Sequence, residues 1–234
     1  MSKKVICMIP ARIGSQRFKQ KNLAIIKNKP VLSWGIESAK NANIFDEIII
    51  NGDDSIFEKI ANSYNLRYHN RNRLLSTSET RSDDVIFDFL NIYKCDYIVW
   101  FNAIAPLQVA EDIKNFVKLL ISNKNSSLFA VRSDYIQAIY KNSPINFSLN
   151  EKFSRTQDLN PIISFVPSLM GWDTKTFLKN YLKKNFGFFS ENIGYYENKH
   201  RLSSLVIKTE DDFKLIRSVI EGIKSYNDEV KYYS

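Results

Sequence analysis

Four short apolar runs decide what this chain of 234 residues can fold into. Residues 5–9, 47–51, 97–101 and 127–131 each read as a strand buried on both faces. Between them the apolar residues recur at helical spacing. Residues 31–41 carry Leu32, Ile36 and Ala39 on one face, and residues 55–64 follow Asp53-Asp54, which can cap a helix. Residues 82–93 group Val85, Ile86, Phe89 and Leu90. Residues 110–122 place Ile113, Phe116, Val117 and Leu120 on one face, with Glu111-Asp112 at the positive helix end. Strands alternating with helices predict an α/β fold with a mostly parallel central sheet flanked by crossover helices. Residues 209–226 read as a closing helix, started by Thr209 or Ser204, with Phe213, Ile216, Val219, Ile220 and Ile223 as its core face.

The pattern breaks over residues 134–167. Tyr135 to Tyr140 is aromatic and apolar, 142–150 is turn-rich, and no further βα unit is legible. Exposure of Ile136, Ile139, Tyr140, Ile162, Ile163 and Phe165 would make this segment an interface, and a plain lid or hairpin fits the sequence equally well. The length suits a single domain over 1–234 with this segment as an excursion.

No apolar run approaches the roughly 20 residues that cross a bilayer. The opening Met1-Ser2-Lys3-Lys4 and the short run after it read as a first strand and not a signal peptide. Cys7 and Cys95 read as buried free thiols without metal spacing, which suits a cytoplasmic setting. The net charge is +8, but the basic residues are scattered along the chain, so nucleic acid is not an expected partner. His69 and His200 lack a partner pattern and read as surface residues.

The first apolar run leads straight into Pro10-Ala11-Arg12-Ile13-Gly14-Ser15-Gln16-Arg17-Phe18-Lys19-Gln20-Lys21-Asn22-Leu23. A strand that opens into a loop with Gly14, Ser15 and the cations Arg12, Arg17, Lys19 and Lys21 can handle phosphate. Backbone N–H groups point at anionic oxygens and the cations neutralise them. A solvated basic loop is the competing reading.

Pro10-Ala11-Arg12-x-Gly14-Ser15 with Lys21-Asn22-Leu23 resembles the nucleotide-binding signature of the N-acylneuraminate cytidylyltransferase (CMP-sialic acid synthetase) family, whose cousins are the CMP-Kdo synthetases. Sialic-acid members usually read Gly-Gly-Ser-Lys-Gly here. Ile13, Gln16 and Arg17 replace three of these, Arg17 matching the Ser-x-Arg form of the Kdo branch. The stretch from Ile48 to Asp53 sits where the family has an apolar strand ending in Ser-Thr-Asp. The stretch from Asn102 to Gln108 sits at its Gln-Pro-Thr-Ser-Pro-Leu-Arg, keeping Pro106 and Leu107. Ala110-Glu111-Asp112-Ile113 and Arg155-x-Gln157-Asp158-Leu159-x-Pro161 follow the family closely.

The resemblance implies a Rossmann-like nucleotidyltransferase fold, a protruding segment that docks a second subunit into a homodimer, and transfer of CMP from CTP to a nonulosonic sugar acid. It implies that Arg12 and Lys21 hold the triphosphate, with Gly14, Ser15, Arg17, Asn22, Asp53 and Asn102 completing the nucleotide site. For Asp53 a helix cap is an equal alternative. Gln108, Arg155 and Gln157 would face the sugar acid, with Tyr140 or Lys141 nearby.

One departure is chemical. The family closes its sheet with Asp-Ile-Asp-Thr-Pro-Glu-Asp-Phe, whose two aspartates hold Mg²⁺ in the sialic-acid branch; here those positions are Val206 and Lys208. Neither offers a hard oxygen ligand. Three explanations stand open. Lys208 replaces the metal's charge as a catalytic cation; or Mg²⁺ arrives with CTP and a relocated carboxylate such as Asp53, Asp211 or Asp212; or the chain is a degenerate homologue that binds nucleotide or a partner enzyme.

Overall fold

The computed structural model describes residues 3–122, 124–223, 228–230 and 232. In chain order its strands are β1 (Val5–Ala11), β2 (Ile25–Ile26), β3 (Lys29–Pro30), β4 (Glu47–Gly52), β5 (Arg67–Asn70), β6 (Tyr97–Phe101), β7 (Ser127–Asp134), β8 (Ile139–Tyr140), β9 (Ser143–Pro144), β10 (Ile162–Asp173) and β11 (Ile193–Glu197). The helices are α1 (Val31–Ala42), α2 (Ser55–Ser63), α3 (Ser82–Ile92), α4 (Ala110–Ile121), α5 (Thr174–Lys184) and α6 (Glu210–Glu221).

Seven strands form one sheet in the order β11-β7-β10-β6-β1-β4-β5. The predicted apolar runs occupy β1, β4, β6 and β7, and β1 pairs in parallel with both β4 and β6. Alternation explains why these runs are continuously apolar: side chains of β1 serve both faces in turn. Cys7 and Ile9 meet Leu32 and Ile36 of α1, Phe57 of α2 and Phe116 of α4 in one core. Ile6 and Met8 face the other way, into a core with Ile86 and Phe89 of α3 and Phe177 of α5. A third cluster seats Phe213, Ile216 and Ile220 of α6 against Ile26, Val31 and Ile207.

Thr209 starts α6 through a capping box with Asp212. The helix ends at Glu221, short of the predicted Tyr226, and residues 224–227 lie outside the described ones. Asp54, not Asp53, caps α2, accepting from Ile56 N at 2.9 Å.

Besides the short pairs β2–β3 and β8–β9, four larger elements are additions to the sequence reading: β5, β10, α5 and β11. β10 runs antiparallel between β6 and β7, with a register shift between Phe165 and Met170. It also corrects the excursion's far boundary. Ile162, Ile163 and Phe165 already pair with Asp134, Ser133 and Val131, so the departure from the sheet closes at Ile162.

Between Tyr135 and Pro161 the chain makes a β8–β9 hairpin, with Lys141 and Asn142 both at positive φ (48° and 64°), the geometry of a two-residue type I′ turn. Asn146 staples it, accepting from Ala138 N and donating to the carbonyls of Ile136 and Asn160. Ile136, Ile139, Tyr140, Ile163 and Phe165 are all exposed, Ile139 by 65%.

Both histidines depart from the surface reading. His69 is buried, edge-on to Phe89 and Tyr93, with Nε2 3.5 Å from Asp88. Its burial pushes the imidazole pKa down, against the pull of Asp88. His200 is half-buried and meets Asp112 through both its backbone N–H and Nδ1. Asp112 itself lies fully buried in α4, where it also accepts from the Tyr196 and Ser203 hydroxyls and Lys199 N. Burial alone would raise its pKa; these donors win and hold it below the usual carboxylate range.

Candidate nucleotide site at the carboxyl edge of the sheet

The carboxyl ends of β1, β4 and β6 finish on one edge, where α/β sheets hold ligands. The cationic loop crosses this edge, and three side chains, two from elsewhere and one of its own, fasten its backbone. Asp53, just after β4, accepts from Ile13 N at 2.9 Å. Arg71, just after β5, donates from Nη2 to Ala11 O at 2.8 Å. Buried Asn22, on a 3-10 turn (Lys21–Leu23), donates from Nδ2 to Arg12 O at 3.3 Å. Arg12 Nη1 in turn donates to Thr77 O at 2.9 Å, joining the loop to the segment that leads into α3.

These ties shape a cavity of about 350 Å³ lined by Arg12, Arg17, Lys21 and Asn22 from the loop, Arg71, Thr77, Thr80 and Ser82 from the segment before and at the start of α3, and Trp100 and Asn102 at the end of β6. Ile13, Gly14, Ser15, Gln16 and Lys19 line an adjoining hollow of about 720 Å³, which shares Arg12 and Ser78 with the first. Four cations in one crevice strain each other. Burial, then Arg17, then Arg12 push the Lys21 ammonium down to about 8. Burial also lowers the Arg71 pKa, partly offset by Asp53.

Five of the sequence-selected residues thus converge on the cavity: Arg12, Arg17, Lys21, Asn22 and Asn102. Gly14 and Ser15 line the outer hollow. Asp53 lies beneath the loop as its anchor. The rest stand elsewhere. Gln108 is buried, and neither atom of its carboxamide has a partner among the described residues. Arg155 and Gln157 sit on an exposed turn, with Arg155 forked onto Asp158 at 2.6 and 3.0 Å. Lys208 is exposed, one residue beyond Ile207, whose N–H donates to Ile104 O on the cavity wall. The sequence reading missed Arg71, Thr77, Thr80, Ser82 and Trp100. No local pattern marks them, since β5, which places Arg71, is itself a polar strand.

The donor set does not fit a divalent ion held by the chain. Neither hollow has a carboxylate, histidine or cysteine in its lining. Val206 packs against the apolar cores. Of the relocation candidates, Asp53 is committed to Ile13 N. Asp212 accepts from Lys208 N and Thr209 N, and Asp211 lies 3.7 Å from the Lys214 ammonium on the open face of α6. Among the described residues no group of three or more His, Cys, Asp or Glu is placed to hold a metal.

The family model described as cytidylyltransferase matches residues 6–233. A pseudaminic acid cytidylyltransferase of Campylobacter jejuni is 33% identical over 168 residues, covering 67% of this chain and 72% of the relative. An N-acylneuraminate cytidylyltransferase of Streptococcus agalactiae is 28% identical over 225 residues, covering 90% of this chain; the chain spans only 52% of that protein. A solved structure of CMP:2-keto-3-deoxy-manno-octonic acid synthetase complexed with CTP superposes with a TM-score of 0.70 at 15% identity, covering 94% of this chain and 99% of the other. At that identity the likeness speaks for the fold alone, a Rossmann-like α/β sheet flanked by helices.

Proposed function

The chain belongs to the cytidylyltransferase family, and from that premise we propose that it transfers CMP from CTP to a nonulosonic, sialic-acid-like sugar acid in surface-glycan biosynthesis. A hydroxyl of the sugar acid attacks the α-phosphorus, a new phosphodiester bond forms, and the bond to the β-phosphate breaks with release of pyrophosphate. The hydroxyl proton leaves to solvent. Such a reaction asks a protein mainly for position and charge neutralisation.

The observation that carries this reading is the convergence of Arg12, Arg17, Lys21 and Arg71 on one crevice at the carboxyl edge of the sheet. Arg12 and Lys21 hold the triphosphate, with Ser15 and the loop amides beside it. A point cation such as Lys21 stabilises charge developing on the leaving pyrophosphate. Asn22 and Asp53 act through the loop, which they fasten. Trp100 and Val85 provide an apolar wall, and Thr80 and Ser82 polar atoms, for the base and ribose.

Arg155 and Gln157 stand outside the crevice, so in this reading they serve the acceptor where two copies meet. The exposed Ile139, Tyr140, Ile163 and Phe165 are the surface through which the copies pair as a homodimer. A cytoplasmic setting accords with free Cys7 and Cys95, whose thiol pKa values burial raises, that of Cys95 to about 12. No helix among the described residues is long and apolar enough to cross a membrane.

Pyrophosphate release from CTP across a panel of nonulosonic acids tests the reading. Release with at least one acid, dependent on both substrates, is expected. CTP binding without turnover of any acid would overturn the transferase assignment in favour of a nucleotide-binding homologue.

A further inference from the structure

We propose that this cavity receives the nucleotide's phosphates on the chain's own cations in place of a divalent ion held by the protein. The inference rests on the nucleotide reading above and adds what sets the affinity: Arg12, Arg17, Lys21 and Arg71, with no metal ligand contributed by the chain.

Charge balance is the first argument. A free nucleoside triphosphate carries about four negative charges near neutral pH, its terminal phosphate nearly doubly ionised. Four cationic side chains line the cavity and no carboxylate does. A carboxylate-free cationic wall repels a divalent cation and attracts a polyanion.

Preorganisation is the second. Arg71 is almost fully buried and pinned to Ala11 O, and Arg12 is pinned to Thr77 O, so both guanidinium groups are fixed before any ligand arrives. Burial first, and then the neighbouring cations (Arg17 and Arg12 for Lys21, Arg12 for Arg71 against the opposing pull of Asp53), lower the Lys21 and Arg71 pKa values, and an entering anion relieves that cost.

The acids nearby are already committed to structural bonds. Asp53 reaches the loop and accepts from Ile13 N. Turning it toward a metal would release the loop that carries the cations. Asp212 is equally committed, to the start of α6.

The test is calorimetric titration of the intact chain with CTP at constant ionic strength, in excess chelator and again in saturating Mg²⁺. It is paired with Mn²⁺ titration of the nucleotide-free protein followed by electron paramagnetic resonance. The expected result is CTP affinity in chelator within about threefold of that in Mg²⁺, and no Mn²⁺ bound to the free chain. Arg17→Gln and Lys21→Gln, neither of which fastens the loop backbone, should each weaken metal-free binding by about tenfold or more. A loss of about tenfold or more in chelator, or stoichiometric Mn²⁺ binding by the free chain, overturns the proposal. Failure to bind CTP in either buffer by a chain with intact circular dichroism overturns the nucleotide reading itself, and this inference with it.

Discussion

The cationic loop and the β8–β9 excursion are both irregular segments hung on the same sheet, and they are held in opposite ways. The loop is fastened from outside by Asp53 and Arg71, whose partners lie 40 and 60 residues away. The excursion is fastened largely by itself: Asn146 bonds to residues 136, 138 and 160, Arg155 to Asp158, and Gln137 to Ser154. The loop presents charge in a fixed place, and the excursion presents exposed apolar side chains on a self-contained scaffold. Long-range ties suit a small ligand, whose binding improves when the groups that meet it are ordered beforehand. Local ties suit a surface whose remaining apolar area is completed by another chain.

The sharpest way to break this contrast is to remove charge from the loop. Arg12→Ala with Lys21→Ala should weaken CTP binding by about a hundredfold, close to 2.8 kcal/mol, while circular dichroism and the unfolding midpoint stay near those of the parent. A binding loss matched by collapse of the fold would mean that the loop is structural first.

Asp53→Ala tests the ties themselves. It leaves every cation in place and frees Ile13 N, so CTP affinity should fall by about tenfold with a stability cost of about 1–2 kcal/mol in urea unfolding. An unchanged affinity would show that the loop needs no anchor.

Proton linkage gives a smaller effect with a definite sign. Lys21 in the free protein titrates at about 8, and a bound polyanion favours its charged form. Above pH 8 the neutral amine must take up a proton on binding, so affinity should decline by up to about tenfold per pH unit until the bound-state pKa is reached. Below that pH the lysine is already charged and contributes no slope. Lys21→Arg should flatten the decline, as calorimetry over pH 7 to 9.5 will read.

The smallest effect on the site should come from the other region. Ile139→Asp with Tyr140→Asp, both on exposed β8, should convert the proposed dimer to monomer in sedimentation equilibrium. CTP affinity should hold within about twofold and stability within about 0.5 kcal/mol. A collapse of CTP binding in the monomer would erase the distinction drawn above.

The same contrast explains what could be read from the chain. β1, β4, β6 and β7 are legible because a strand buried on both faces is continuously apolar over most of its length. β10 escapes because Ser164, Pro167, Ser168 and Gly171 interrupt its pattern, and the bulge between Phe165 and Met170 shifts its register. β5 is a polar edge strand of four residues, Arg-Tyr-His-Asn. The loop's cations announced themselves by following a strand, whereas Thr77, Thr80 and Ser82 looked like any solvated Ser/Thr stretch. Only the Arg12 bond to Thr77 O makes that stretch a wall. Asp112 reads as a charge suited to a helix start. Its burial follows from Tyr196, His200 and Ser203, residues far away in sequence, and no local pattern encodes that.

The place of β10 has a consequence for how the polypeptide is made. Strands β6 and β7 touch β10 on either side, yet β10 is completed only at Asp173. Until that residue leaves the ribosome, the nascent chain holds the β6-β1-β4-β5 fragment with a raw inner edge, carrying the complete cationic loop, and β7 without either of its neighbours. Such edges invite pairing with other chains. Premature termination between Asp134 and Ile162 should therefore yield aggregates, although every residue that lines the two hollows has by then been made and waits for its keystone.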